Sequence, residues 1–152
     1  MMDKDMMLSR MMRLCARSEH CRADIRRKLS GLPSDEQEQI LDTLCREGYL
    51  DDARYARAFA RDKSALQGWG NLKISVALQQ KAIAPEAVAA ALAEIDTAAA
   101  GSRLEQLLRS KWNALRGETD PHRREAKLLR YALGRGYSYD QIRKVYDNIR
   151  RD

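Results

Sequence analysis

Apolar residues recur along this chain at steps of three and four, the period that puts side chains on one face of an α-helix. Leu8, Met11, Met12 and Cys15 form one such stripe, and Tyr55 and Phe59 begin another. Leu104, Leu107, Leu108 and Leu115 form a third, and Ile142, Val145, Tyr146 and Ile149 close the chain in the same way. No stretch alternates with a period of two, so strands are nowhere indicated. The spacing predicts helices over 6–16, 52–66, 98–116, 120–134 and 138–150.

A larger pattern sits above the helices. Two apolar residues four apart are followed, one helix later, by a second such pair. The sets are Ile25/Leu29 with Ile40/Leu44, Ile74/Leu78 with Val88/Leu92, and Leu129/Leu133 with Ile142/Tyr146. One further amphipathic helix precedes each set, so the chain reads as three helix-helix-helix modules, 6–50, 51–96 and 97–152. One such module alone would bury a marginal core, so neighbours must stack or share a helix.

Helix punctuation fits this division. Ser34 with Gln37, and Ser138 with Gln141, have the spacing of a capping box. Pro85 and Pro121 stand where a first helical residue can do without its N–H. Gly48 and Gly136 stand where a helix ends in the left-handed region.

Residues 48–56 read Gly48-Tyr49-Leu50-Asp51-Asp52-Ala53-Arg54-Tyr55-Ala56. Gly48 is expected to stop one helix, and Tyr49 and Leu50 to fold back onto the core. Asp51 is expected to cap the next helix, with Asp52 favouring its positive end. Arg54 lies near enough to pair with these aspartates, while Tyr55 and Phe59 point inward. The stretch thus reads as structural.

This run resembles the signature of the RecX regulatory proteins, and other stretches match that family in order. Arg17 to Leu29 resembles its first arginine-rich helix entry. Gly68, Ile74, Leu78 and Ile83 resemble its Gly-rich loop and second-module helix. Arg135-Gly136-Tyr137-Ser138, with Asp140 and Ile142, resembles its third-module turn. The resemblance spans residues 8–150. Two positions depart from it: Cys21 replaces a capping Ser, so the second helix is expected to begin there with Asp24 as its partner, and Ala82 replaces a Gly before Ile83.

The resemblance implies an all-α fold of three tandem three-helix modules in an elongated, curved array with helix-turn-helix-like turns. It also implies a cytoplasmic, non-catalytic regulator in DNA repair. Such a protein binds the RecA recombinase within the groove of its filament on DNA, and restrains filament growth, strand exchange and ATP hydrolysis.

Charge narrows where contacts would lie. The net charge is +6, and all of that excess lies in residues 97–152, which carry 13 basic and 7 acidic side chains. Residues 8–30 hold 7 basic and 2 acidic groups, whereas 34–52 hold 1 basic and 7 acidic. Three basic stripes are candidates for contacting RecA or DNA phosphates: Arg22, Arg26 and Arg27, with Lys28 beside them; Arg54, Arg57 and Arg61; and Arg123, Lys127 and Arg130, followed by Arg135, Arg143 and Lys144. An acidic surface or a phosphate backbone would favour them by Coulomb attraction and counterion release. For any one stripe, a solvated helix face serves equally well. The third is the strongest candidate because the net charge is concentrated there.

Other chemistry finds little support. The most apolar run, Ala87 to Ala93, is too short to span a bilayer. Cys15, Cys21 and Cys45 are odd in number and lack C-x-x-C spacing, which fits reduced cytoplasmic thiols better than a zinc site with His20. His20 and His122 are far apart and no phosphate-loop motif is present, so no catalytic set, metal or cofactor is expected. The partner expected is the RecA filament, engaged by a monomer, with non-specific single- or double-stranded DNA as a further contact. The rival is a direct helix-turn-helix DNA binder, since 120–134 and 138–150 are joined by a short turn and Arg143, Lys144, Arg150 and Arg151 follow it. Against it, only Gln141 near that second helix's start suits base reading.

Overall fold

A computed structural model describes residues 3–151, and among these residues the chain is all-α, with nine helices and no strand. They are α1 (Lys4–Arg17), α2 (Arg22–Lys28), α3 (Ser34–Arg46), α4 (Asp52–Ala65), α5 (Asn71–Gln80), α6 (Pro85–Ala93), α7 (Thr97–Ala114), α8 (Pro121–Gly134) and α9 (Tyr139–Arg151). Two compact units are formed. One holds the residues up to Ala58 together with Leu78–Ala91, the other Phe59–Ala77 with the residues from Leu92 on, so the division runs within α4 and α5.

In the first unit, α1 and α2 both pack on α3. Met11, Ile25, Leu29, Ile40, Leu41, Leu44 and Leu50 are buried together there, and Met7, Leu8, Leu14 and Tyr49 pack around them. In the second unit α7, α8 and α9 pack pairwise. Their core is Leu104, Leu108, Leu128, Ala132, Tyr137, Ile142, Tyr146 and Ile149. Burial of an aliphatic side chain stabilises by roughly 1.5–3 kcal/mol each, so these clusters outweigh any surface ion pair.

Three helices end in the same way. The N–H two residues past the C-cap returns to the carbonyl at C3, and the N–H before it to C2, the two bonds of a Schellman motif. After α3 these are Tyr49 N to Leu44 O (2.8 Å) and Gly48 N to Cys45 O (3.2 Å). After α5 they are Ile83 N to Leu78 O (3.2 Å) and Ala82 N to Gln79 O (3.0 Å). After α8 they are Tyr137 N to Ala132 O (3.3 Å) and Gly136 N to Leu133 O (3.0 Å). The middle residue has φ +82° at Gly48 and +97° at Gly136, and Ala82 reaches the same region at +58°. Ala82 thus does a glycine's work with a Cβ in the way.

Three helix starts use the preceding aspartate in the same way. Asp3, Asp96 and Asp120 accept from Met6 N, Ala99 N and His122 N at the heads of α1, α7 and α8. At α9 the expected box forms: Ser138 N donates to Gln141 Oε1 (2.9 Å) and Gln141 N to Ser138 Oγ (3.2 Å). At α3 it does not. Pro33 is the N-cap and Ser34 is already helical. Gln37 turns instead to the carbonyl of Leu32 (2.8 Å). A proline at the cap fixes the entering backbone, so the serine hydroxyl falls one position too late.

The inward faces also differ in places from the expected pairs. On α8 the buried pair is Leu128/Ala132, not Leu129/Leu133; Leu133 is 48% exposed. Consecutive leucines at 128 and 129 make both registers apolar, and the small Ala132 sits in a core that also holds the large Tyr137 and Tyr146 rings. On α6, Val88 is joined by Ala91 rather than Leu92. On α4, Ala56 and Ala60 are buried while Tyr55 and Phe59 are half-buried.

Candidate partner-binding surfaces

The 48–56 stretch binds one loop to another within the first unit. Gly48 and the Schellman bonds turn the chain, Leu50 is buried, and Asp51 Oδ1 accepts from Arg54 N (3.1 Å) at the head of α4. Asp52 Oδ1 accepts from the backbone N–H of Arg22 (2.8 Å), capping α2 rather than α4. The Arg54 side chain, expected beside the two aspartates, instead pairs with Glu19 and donates to the Gly48 carbonyl (3.1 Å). Their carboxylates face backbone N–H groups, which leaves Glu19 as the anion within reach. The Glu19 contact holds the Arg54 guanidinium above its ordinary pKa, with desolvation opposing it. Burial pushes the Tyr55 phenol up to about 12, aided by the nearby Cys21, Asp24 and Asp52.

The first basic stripe is largely matched by acids of the same unit. Arg26 pairs with Glu38 (2.9 Å), with Arg22 at 4.0 Å from the same residue, and Arg22 also donates to Cys45 Sγ (3.1 Å). Arg27 pairs with Asp24, which also takes Lys81 Nζ (2.8 Å). Burial would raise the Asp24 pKa, but hydrogen bonds from Lys81 and Cys21 and the charges of Lys81 and Arg27 outweigh it and bring it below the usual carboxylate range. The acidic 34–52 segment thus neutralises part of the basic 8–30 segment.

The second stripe does not form one surface. Arg54 is turned into the loop just described, Arg57 is exposed, and Arg61 lies near Asp62 (3.6 Å). In the third, Arg123, Lys127 and Arg130 are all exposed on α8. Arg123 is 3.8 Å from Asp120 and Lys127 3.3 Å from Glu118. Arg143 pairs with Glu125 and approaches Asp147 at 4.0 Å, whereas Lys144 is exposed.

Arg135 has a different task. Its guanidinium donates to the carbonyl of Gln67, and Tyr137 Oη donates to the carbonyl of Gly68 (2.8 Å). Gly70 N donates to Arg135 O (2.8 Å) and Leu72 N to Gly136 O (3.0 Å). The Gly68–Asn71 loop therefore lies backbone against backbone on the α8–α9 turn. A Cβ on Gly70 would sit 2.5 Å from the Gly136 carbonyl carbon and 2.7 Å from Tyr137 N. The N–H groups of Gly70 and Leu72 are thus taken by carbonyls of that turn. Trp69 is half-buried beside it, with Lys63 and Lys73 at 4.8 and 4.4 Å from its ring and Phe59 edge-on at 6.2 Å.

Comparison with known proteins places these turns in a family. Residues 51–92 match the model of the RecX second three-helix domain, and residues 102–146 that of the RecX third three-helix domain. The chain is 32% identical over 155 residues to regulatory protein RecX of Cronobacter sakazakii, covering 94% of this chain and 92% of that protein.

The chain belongs to the RecX family.

Regulatory protein RecX of Mycolicibacterium smegmatis is also 32% identical, over 133 residues covering 84% of this chain and 70% of that one. The same fold is seen in the crystal structure of RecX from Lactobacillus salivarius (TM-score 0.86, 17% identity, 98% and 97% of the two chains). A second crystal structure of a regulatory protein RecX gives a TM-score of 0.85 at 23% identity, covering 95% and 71%. Both RecX domain matches contain one of the Schellman turns, at Ala82-Ile83 and Gly136-Tyr137.

A set of residues that the charge stripes did not single out also comes together. Arg10, Arg13 and Arg17 of α1 and Lys28 of α2 line a groove in the first unit, with Met7, Met11 and Leu14 as its floor. The signal was present as the i, i+3, i+7 spacing of the three arginines, but the part played by Lys28 depends on how α2 folds back. Among the described residues no helix is long and apolar enough to cross a membrane.

Proposed function

We propose that this chain is a non-catalytic regulator that binds the RecA recombinase filament on DNA and restrains its growth, ATP hydrolysis and strand exchange. Membership of the RecX family carries the reading, because the family resemblance implies RecA as the partner. The modules 6–50, 51–96 and 97–152 are the proposed repeating units, acting as a monomer in the cytoplasm. The exposed cations Arg123, Lys127, Arg130 and Lys144 are the favoured contact residues, since each projects into solvent from the segment that holds the net positive charge. Arg135 is a weaker candidate because its guanidinium holds the Gln67 carbonyl.

Direct DNA binding is the second reading, favoured by the short α8–α9 turn and the cations of α9. Base reading at the start of this helix is weakened, because Gln141 Oε1 already accepts the capping bond from Ser138 N. Arg143 and Arg150 both lie near Asp147, which weakens the field of α9. A non-specific phosphate contact alongside RecA is what remains of it.

Titrating the protein into RecA's DNA-dependent ATPase reaction, with a duplex-binding assay in parallel, separates the two. The RecA reading expects ATP hydrolysis to fall as the protein is added. Tight sequence-specific duplex binding with no effect on RecA would overturn it.

A further inference from the structure

The groove on the first unit combines basic and apolar side chains along α1 and the end of α2. It encloses about 560 Å³, in the range of ligand clefts. Its rim carries four cations, Arg10, Arg13, Arg17 and Lys28, and no carboxylate is among the described residues that line it. Its floor is Met7, Met11 and Leu14, with Met11 belonging to the buried core. Several other basic side chains of this unit meet acids: Arg26 has Glu38, Arg27 has Asp24 and Arg54 has Glu19. Arg13, Arg17 and Lys28 are exposed around an apolar trough. The groove also lies outside both segments that match the RecX domain models.

Two demands follow for an occupant. Like charges gathered on one rim raise each other's energy and are relieved by an anionic ligand, so the occupant brings carboxylates or phosphates. Methionine side chains are polarisable and adapt to varied apolar shapes, so the floor suits aliphatic or aromatic side chains. A nucleic-acid strand meets the first demand only. It would stack its bases on aromatic residues, and none lines this groove. A helix with acidic residues on its flanks and apolar residues at three- and four-residue steps meets both.

We propose that this groove docks an acidic amphipathic peptide segment of a partner protein, its apolar side chains on the half-buried Met7 and Leu14 and its carboxylates against Arg13, Arg17 and Lys28. This inference does not rest on the RecA reading.

The test uses the full chain and a fluorescently labelled synthetic peptide of about 16 residues with Glu and Leu at helical spacing, read by fluorescence anisotropy. A second peptide keeps the Glu residues and replaces every Leu with Ser, and oligo(dT) is used as competitor. Binding of the first peptide is expected, weakened about tenfold or more by the combined Arg13→Glu, Arg17→Glu and Lys28→Glu changes. The Leu-free peptide should bind about tenfold less tightly. Should charge reversal disturb folding by circular dichroism, the variant with Gln at the same three positions replaces it, with a smaller loss expected. The proposal is overturned if the Glu/Leu peptide does not bind, if neither variant weakens it, or if the Leu-free peptide binds as well. It is likewise overturned if oligo(dT) binds through the same three residues more tightly than the peptide, which would make the groove a nucleic-acid site.

Discussion

Asp52 caps a helix that is not its own: its Oδ1 accepts a 2.8 Å hydrogen bond from the backbone N–H of Arg22, thirty residues upstream. The N-cap of α2 is Cys21, whose side chain makes no capping bond, so the orphaned N–H groups there depend on a donated carboxylate. The same aspartate stands in the first turn of α4, where a negative charge is favoured. One side chain therefore serves two helix starts. Asp52→Ala is expected to cost about 1–2 kcal/mol in urea unfolding, and Asp52→Asn less than half of that because an acceptor remains. Equal losses would show that charge, not the cap, dominates.

Gly70 and Gly48 are both loop glycines, but they are needed for different reasons. At Gly48 a Cβ would meet nothing within 4 Å, and only the positive φ resists substitution. Gly48→Ala should cost about 1–2 kcal/mol. At Gly70 a Cβ would run into the Gly136 backbone, forcing apart the bonds to Arg135 O and Gly136 O. Gly70→Ala should cost roughly 3 kcal/mol, from about 1 kcal/mol per bond and the strain of overpacking. Calorimetry of the two variants side by side checks the order.

Ala82 offers the opposite case. Its φ of +58° makes it the described non-glycine residue in the left-handed region. Ala82→Gly removes about 1–2 kcal/mol of strain and adds roughly 0.5–1 kcal/mol of unfolded-state entropy. A net gain of up to about 1.5 kcal/mol is expected, seen as a raised Tm. A lowered Tm would mean that the methyl group contributes packing.

Tyr55 sets an alkaline limit. Its pKa is raised from the ordinary 10 to about 12, chiefly by desolvation. Below pH 10 the phenol is neutral in both folded and unfolded chains, so its contribution is fully present. Between pH 10 and about 12 the unfolded chain loses the proton first, and stability declines as pH rises through that window. Asp24 works the other way: its lowered pKa gives stability above the unfolded value that is lost as pH falls through the folded one. Stability-against-pH curves for Tyr55→Phe and Asp24→Asn should flatten the alkaline and acid limbs respectively.

On the third basic stripe, replacing Arg123, Lys127 and Arg130 together with Ala is expected to weaken binding to RecA filaments and flatten its dependence on salt. Phosphate contacts would account for a slope change of roughly one per residue. All three side chains are exposed, so thermal stability should change little. Unchanged affinity and slope would remove this stripe from the contact surface.

Local order along the chain was sufficient to read the helices and several of their ends. A 3.6 period needs only the sequence, a left-handed glycine is marked by its place after the last apolar turn, and the Ser138/Gln141 box is closed by residues three apart. The departure at Ala82 is visible only through the family resemblance, which implies a glycine before Ile83. What local order could not decide were choices between equivalent neighbours. Leu128 and Leu129 both suit an inward face, and only the core holding Tyr137 and Tyr146 selects Leu128 with Ala132. Arg54 had two aspartates beside it in sequence and took Glu19, because both carboxylates were already used by backbone N–H groups. The basic groove needed α2 to bring Lys28 to the arginines of α1, and the Gly70–Gly136 contact joins residues far apart in the chain. Periodicity acts through bonds within one turn of helix and so belongs to the sequence. Partner choice among long charged side chains, and the rotation of a helix that is apolar on two faces, depend on volumes and hydrogen bonds supplied by other segments, and only the tertiary structure decides them.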